Sequence, residues 1–391
     1  MTRISRIEIH EYEYAVEGLA RDSNWNLVAE PGSRTRMTNF VVTIEADDGS
    51  RGEYAAMFGG KRAQLGQVLM LPVFLLGRDP DRREAIWDDM KRAQRQFAFL
   101  GVGMMDICLW DLAAKRLGVS VSRMLGAYRD RLPTYASTMN GHRGPGRGLN
   151  SLEAYAEFAV QCRDMGYRGF KIHGWTEGDA REEAANVLNV RRAVGDRMDL
   201  MLDPSCELRT FADALHVGRA CDEAKYFWYE DPLRDGGTSQ HVHRKLRQLL
   251  KTPLLQTEQV RGLEPKADWL AAEATDFVRG DPELDLGITG CMKTAHLAEA
   301  FGLDLEIHAA GPAHRHCMGA IRNTNYYELT LVAPGVRNPI PTEIFACGYS
   351  DQLDAVGPDG CFPVPTGPGL GVVLDWDWIA HHRTRVHEFT L

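Results

Sequence analysis

Three carboxylates recur at nearly equal intervals in the middle of this sequence. Asp203, Glu230 and Glu258 are separated by 27 and 28 residues, and each one closes a short apolar stretch. Carboxylate oxygens are the ligands that a hard divalent cation prefers, and the lack of a CxxC pair or of paired histidines favours Mg²⁺ over zinc. A single acid at such a position is equally consistent with a helix cap or a salt bridge. The repeated spacing favours one metal site shared by all three.

A lysine and a histidine stand two residues apart in the segment FKIH. Lys171 and His173 would project to the same side of a strand, because side chains alternate between its faces. Near a cation and a carboxylate substrate, the lysine can neutralise negative charge and the histidine can act as a base near pH 7. Either residue could accept the substrate proton. The structural alternative is an inward lysine held by a barrel carboxylate.

Asp281 and His308 follow two consecutive strand patterns further along the chain. A carboxylate that hydrogen-bonds one imidazole nitrogen fixes the tautomer and supports the protonated form, so His308 is a candidate general acid or base. A lone histidine is more often structural, and the aspartate in register favours the catalytic interpretation. Glu328 falls where the next strand should end.

These residues need elements that bring distant parts of the chain together. From Pro133 onward, helical patterns alternate with short apolar strands, which predicts parallel βα units. In a (β/α)₈ barrel, the C-terminal ends of all strands converge on one face. Six strand patterns end on an ionisable residue: FKIH, LMLD, YFWYE, LLQTE, DFVRGD and DLEIH. The regularity predicts one shared site.

The predicted fold is therefore α/β, a modified TIM-like (β/α) barrel with a second domain. Residues 1–130 carry strand signals and then helical patterns, which predicts an α+β capping domain. The barrel occupies residues 131–345. The segment 346–391 is rich in glycine and proline and is expected to return to the cap and complete it.

Composition excludes several other classes. The 391 residues carry a formal net charge of -9, which argues against nonspecific binding to nucleic acid or an anionic membrane. No apolar run approaches the roughly 20 residues of a membrane span, and the start of the chain shows no signal region. The scattered cysteines are typical of a reducing compartment. We expect a cytoplasmic enzyme whose partner is a small molecule.

Seven motifs carry a family resemblance: FKIH, LMLDPS, WYEDPL, LLQTEQ, RGDPELDLGIT, EIHAAG and NYYEL. In order and spacing they resemble the mandelate racemase and muconate lactonizing enzyme branch of the enolase superfamily, over nearly the whole chain. The resemblance implies Mg²⁺ bound by the three spaced acids and a homo-oligomer of two to eight chains. It further implies proton transfer by Lys171 or His173 on one face and by the Asp281–His308 dyad on the other, with Glu328 against the substrate carboxylate.

The chain departs from the family pattern at three places. K-x-H replaces K-x-K, Ser205 replaces an asparagine after the first metal ligand, and Leu284 with Leu286 replaces a basic residue and a glycine.

Candidate substrate-binding residues come from the expected cap loops and the first barrel strand. Arg21, Asn24 and His142 would suit a polyhydroxylated acid. Trp25 and Phe58 stand where the family's mobile loops close over substrate, although they could equally be packing residues.

The expected reaction is removal of the proton next to a carboxylate. If His308 protonates a departing β-hydroxyl, the enzyme is a sugar acid dehydratase that yields a 2-keto-3-deoxy acid, which we favour. If His308 returns a proton to the α-carbon, the enzyme is a racemase or epimerase, and cycloisomerisation uses the same intermediate. A Schiff-base aldolase using Lys171 and a non-catalytic binding protein are the alternatives from other classes.

Overall fold

The computed structural model describes residues 2–23, 26–57, 62–143, 148–175 and 177–391. The N-terminal region begins with three antiparallel strands and continues with helices. The strands are β1 (Ile4–Arg21), β2 (Leu27–Ala46) and β3 (Arg51–Ala55), and the helices are α1 (Arg62–Val68), α2 (Pro72–Leu75), α3 (Arg83–Ala93), α4 (Val102–Leu117) and α5 (Val121–Met124). At 20 residues, β2 is the longest of the three strands.

Parallel strands alternating with helices form the second region. The strands are β4 (Arg131–Thr138), β5 (Gly169–His173), β6 (Asp199–Asp203), β7 (Trp228–Glu230), β8 (Leu254–Gln256), β9 (Phe277–Gly280), β10 (Asp304–Ile307) and β11 (Tyr327–Val332). The helices between them are α6 (Leu152–Asp164), α7 (Ala180–Val194), α8 (Phe211–Glu223), α9 (Gln240–Arg247), α10 (Leu263–Ala271), α11 (Gly287–Ala300) and α12 (Pro312–Ala320), and short 3-10 turns occupy Gly195–Arg197, Thr342–Ile344 and Leu353–Ala355.

The parallel strands are ordered β10-β9-β8-β7-β6-β5-β4-β11 in one sheet. Adjacent strands are parallel throughout this order. The sheet curls until its two ends meet, where the Asn325 amide just before β11 donates to Glu306 of β10 at 3.1 Å. The predicted barrel with an α+β cap is confirmed.

Alternation along β6 shows how the strands aim their side chains. Leu200 and Leu202 pack in the large core shared with the surrounding helices. Met201 points the other way, into a small cluster inside the barrel with Trp228. Asp203 lies two residues beyond Met201, so its carboxylate projects to the same inner side at the strand end.

The C-terminal segment crosses back to the cap. It contains β12 (Cys361–Pro363), which pairs with β4, then α13 (Trp376–His382) and β13 (Arg383–Thr390). β13 pairs antiparallel with β1 and gives the cap sheet the order β13-β1-β2-β3. The first and last strands of the structure therefore share one sheet.

The hairpin of β1 and β2 reaches beyond the cap sheet to the mouth of the barrel. The Tyr14 hydroxyl donates to the Pro339 carbonyl at 2.9 Å. Val28 forms a parallel bridge with Asn140, whose amide donates to the Leu27 carbonyl at 3.2 Å. These contacts fix the hairpin over the C-terminal ends of the barrel strands.

Two general expectations can be compared with the described residues. All eight cysteines are free, and most of them are buried. Within the described ranges, no helix combines the length and the apolar character needed to cross a membrane.

Candidate active site

The three spaced carboxylates meet at the mouth of the barrel. Asp203 ends β6 and Glu230 ends β7, whereas Glu258 lies two residues beyond the end of β8, which is shorter than the sequence predicted. One oxygen from each lies within 4.8 Å of the others. Asp203 and Glu230 are buried, and Glu258 is partly open to the cavity above. An all-oxygen set of this geometry fits a hard divalent cation such as Mg²⁺.

Lys171 lies beneath this cluster, on β5. Its amine is 2.9 Å from Glu230, 2.9 Å from Glu328 and 3.5 Å from Asp203. Burial lowers the pKa of the Lys171 amine, but the carboxylates of Glu230 and Glu328 outweigh burial and raise it well above its ordinary value. Lys171 is therefore held as a cation that neutralises its neighbours.

Arg279 is a second buried cation at the cluster and is not among the residues predicted from the sequence. Its Nε lies 2.9 Å from Glu230, and its Nη2 lies 2.9 Å from Glu328 and donates to the Tyr135 hydroxyl at 3.1 Å. The sequence does contain a signal for Arg279. It lies two residues before Asp281 on one strand pattern, so both side chains face the same side.

Glu328 differs from its expected position. It is the second residue of β11, which continues to Val332, so it lies near the beginning of the strand and not at its end. Besides its two cationic partners, it accepts the Ala309 amide at 2.8 Å. Burial raises the pKa of Glu328, but Arg279 and Lys171 outweigh burial and hold it well below its ordinary value.

His173 flanks one side of the carboxylate cluster. Its Nδ1 lies 2.6 Å from the Thr138 carbonyl, which can only accept, so Nδ1 carries a proton. The other nitrogen, Nε2, lies 3.1 Å from Asp203. The ring is thereby oriented with Nε2 directed at the site.

His308 flanks the opposite side. Its Nδ1 lies 2.7 Å from Asp281, whose other oxygen accepts the amides of Glu283 and Leu284 at 2.7 and 2.9 Å. Nε2 of His308 is 3.6 Å from Glu258. Burial lowers the pKa of His308, but Glu258 and Asp281 outweigh burial and raise it. The dyad expected from sequence thus has an imidazole that favours its protonated form.

Ser205, one of the three departures from the expected family pattern, lies two residues beyond Asp203. Its amide donates to Asp203 at 2.7 Å, and its hydroxyl accepts from Asn140 at 2.9 Å. The serine therefore links the Asp203 carboxylate to the end of β4.

A cavity of about 660 Å³ lies between this cluster and the cap. Of the predicted residues, it is lined by Arg21, His173, Asp203, Glu258, His308 and Glu328. Within the part of the chain that the structure describes, His142 does not line it; the His142 amide instead donates to the Leu149 carbonyl at 3.3 Å. Asn24, Trp25 and Phe58 lie outside the described residues.

Asp231 also lines the cavity and is not among the residues predicted from the sequence. It is 3% exposed, and neither carboxylate oxygen has a hydrogen-bond partner among the described residues. Burial, reinforced by Glu258 and Asp203, raises its pKa well above the ordinary value. It directly follows Glu230 in the chain, which was the available signal.

A capped parallel barrel with three carboxylates at its mouth and a histidine on either side defines a class of barrel enzymes. The family model described as "Enolase C-terminal domain-like" matches residues 154–378, and that described as "Mandelate racemase / muconate lactonizing enzyme, N-terminal domain" matches residues 17–126. The chain belongs to the mandelate racemase and muconate lactonizing enzyme branch of the enolase superfamily.

Named relatives give the type of activity found in this branch. L-talarate/galactarate dehydratase of Salmonella typhimurium is 26% identical over 73% of this chain and 71% of its own length. D-galactarolactone cycloisomerase of Agrobacterium fabrum is 27% identical, covering 89% and 92%. The crystal structure of D-glucarate dehydratase from Agrobacterium tumefaciens complexed with magnesium has a TM-score of 0.86 and 28% identity, covering 98% and 99%. With such relatives the chain is an enzyme, either a lyase or an isomerase.

Proposed function

We propose that this enzyme dehydrates a sugar acid to a 2-keto-3-deoxy acid, using Mg²⁺ held by Asp203, Glu230 and Glu258. The observation that carries the proposal is the placement of two oriented imidazoles on opposite sides of one carboxylate cluster. His173 Nε2 lies 3.1 Å from Asp203, and His308 Nε2 lies 3.6 Å from Glu258. A substrate carboxylate at the cluster would therefore present its α-carbon and β-hydroxyl between them.

The chemical difficulty is the weak acidity of a proton next to a carboxylate. Removing it adds a second negative charge to the same group, and that charge needs fixed positive groups where it develops. A divalent cation in the site would supply Lewis-acid stabilisation of the carboxylate oxygens. Lys171 adds a buried positive charge among the carboxylates of the cluster, and Arg279 holds Glu328 and Glu230 in place from below.

His173 is the proposed base. Its Nδ1–H is donated to the Thr138 carbonyl, which leaves Nε2 as the atom that accepts the α-proton. Lys171 is the less suitable base, because three carboxylates surround its amine and two of them raise its pKa. The same ion pairs, together with a side chain only 1% exposed, disfavour the aldolase alternative, which needs a neutral and accessible amine.

His308 is the proposed acid. Asp281 and Glu258 favour its protonated form, and Asp281 directs Nε2–H towards the site. Proton loss from the α-carbon to His173 and expulsion of the β-hydroxyl with the proton of His308 give water and an enol, which becomes the 2-keto acid. If His308 instead returned its proton to the α-carbon, the product would be an epimer.

A screen of sugar acids for 2-keto product, with and without Mg²⁺, tests the proposal. Product that forms with Mg²⁺, disappears with EDTA and returns with added Mg²⁺ supports it. We expect His308→Asn to lower kcat by roughly 10²- to 10⁴-fold, the usual value of a positioned acid or base. His241→Asn, on the exposed surface of α9, is the matched control and should change nothing.

Two results would replace the proposal. Exchange of the α-hydrogen in D₂O without loss of water, together with a stereoisomer as product, would make the enzyme an epimerase. Trapping of the protein by borohydride with substrate, independent of Mg²⁺, would support the aldolase.

A further inference from the structure

Charge is segregated between the two sides of the cavity. Its lining acids all come from the barrel region and surround the metal site: Asp203, Asp231, Glu258 and Glu328. The lining arginines in the described part of the chain all come from the cap: Arg21, Arg36 and Arg62. A molecule in the cavity therefore meets a metal site at one end and guanidinium groups at the other.

Arg36 stands on the part of β2 that reaches over the barrel, paired in register with Ala15. Its Nη1 lies 2.6 Å from Glu13, and its side chain is 80% exposed. An ion pair this exposed contributes little, and a guanidinium has five N–H donors, so Arg36 can also bind an anion in the cavity.

Arg62 is the first residue of α1 and is exposed. It forms no ion pair with any residue in the described ranges. Arg21, at the end of β1, brings a third guanidinium to the same side. Several arginines around one space are suited to a carboxylate, because their planar donors match its two oxygens.

We infer that the substrate is a dicarboxylic sugar acid, with one carboxylate at the metal site and the second bound by the cap arginines. The inference rests on the proposed function and specifies its substrate class. Thr38 and Asn140 also line the cavity, and both are polar residues that suit the hydroxyls in between. A monocarboxylic acid places a neutral hydroxymethyl group against the guanidinium groups and loses the charged contacts.

Matched pairs of acids isolate the second carboxylate. D-glucarate and D-gluconate, or galactarate and D-galactonate, share their hydroxyl configuration and differ in oxidation at one end. We expect kcat/KM to favour the dicarboxylate by about 10- to 100-fold, the range for hydrogen bonds to charged groups, and the ratio to fall as salt is raised.

Variants of the cap assign the effect to its arginines. Arg36→Gln combined with Arg62→Gln should raise KM for the dicarboxylate at least about tenfold and leave the monocarboxylate unchanged. Arg34→Gln is the control, because Arg34 lies on the same strand with an exposed ion pair to Glu17 and does not line the cavity. Equal kcat/KM for both acids, or a preference that survives the double substitution, overturns the inference.

Failure of the inference differs from failure of the proposed function. If only monocarboxylic acids are dehydrated, the proposed dehydration is supported and the assignment of a dicarboxylic substrate is wrong. If no acid yields 2-keto product with Mg²⁺, the function falls, and calorimetric binding of D-glucarate against D-gluconate to the wild type and the double variant still decides the role of the arginines.

Discussion

Two sides of the cavity are built in different ways. We call the barrel residues around the carboxylate cluster the barrel wall, and the hairpin of β1 and β2 above them the cap roof. On the barrel wall, the charged groups are buried and hold one another: Lys171 and Arg279 each contact both Glu230 and Glu328. On the roof, Arg36 is an exposed side chain on an extended hairpin. Rigid, mutually neutralised charge suits a reaction that requires fixed geometry. An exposed charge on a hairpin suits recognition of one end of the substrate. Such a residue can be substituted without moving the buried charged groups of the barrel wall.

The largest effect is expected from the metal site on the barrel wall. Glu258→Gln removes one anionic group of the proposed metal site, and we expect Mg²⁺ affinity to fall by roughly 100-fold or more and activity by about 10³-fold. Calorimetric Mg²⁺ titration and the 2-keto assay measure the two losses. Asp268→Asn, which makes the matching acid-to-amide change at an exposed position of α10, is the control for the loss of one charge. Unchanged Mg²⁺ affinity in Glu258→Gln would remove this residue from the metal site.

The next effect concerns stability of the wall. Arg279→Leu leaves Glu230 and Glu328 without one of their buried partners, which typically costs about 3–5 kcal/mol of unfolding free energy. Thermal or urea denaturation measures the loss. Arg279→Lys keeps the charge but cannot contact both carboxylates as the guanidinium does. Its unfolding free energy should lie between those of Arg279→Leu and the wild type. If Arg279→Leu were as stable as the wild type, the buried ion pairs would not hold the barrel wall together.

A smaller effect on stability is expected at Glu306, a buried acid of the barrel that does not line the cavity. Glu306 on β10 accepts hydrogen bonds from Asn325 and the Tyr326 amide, and burial raises its pKa from 4.5 to about 7. As pH rises, the unfolded chain loses this proton first, so stability falls between pH 4.5 and about 7 and is level above. The loss is at most about 3 kcal/mol.

Glu306→Gln resembles the protonated side chain and should lack this pH dependence. Urea midpoints of wild type and variant at pH 5 and pH 8 give the comparison, and dehydration should be unaffected. A parallel pH dependence in both proteins would mean that Glu306 is not the group responsible.

The smallest effect is expected where the roof meets the barrel. Tyr14→Phe removes the hydrogen bond to the Pro339 carbonyl, which is worth about 1 kcal/mol. We expect KM to rise by up to about tenfold while kcat stays the same, because the role proposed for the hairpin is to bind substrate and not to carry the reacting groups. Steady-state kinetics measures both constants. A fall in kcat with unchanged KM would show that the roof takes part in the chemistry.

The barrel wall and the cap roof also differ in how well their residues could be predicted from the sequence. Asp203 and Glu230 end strands of a regular βα series, so their convergence followed from the pattern. Arg279 was missed because it lies within a strand and not at its end, although its spacing from Asp281 places both on the same face. The far end of the hairpin was missed because the stretch around Arg36 is polar and continues past Gly32 without apolar alternation. Its position depends on contacts with Asn140, just beyond β4, and with Pro339, which no local pattern encodes.

The pairing of β13 with β1 affects the order in which the molecule can form. The cap sheet needs a strand that is synthesised after the whole barrel, so the cap cannot finish folding first although its other strands emerge early. Until that strand arrives, one edge of β1 stays unpaired and open to association with other chains. A chain shortened before Arg383 should therefore aggregate even though every residue of the barrel is present.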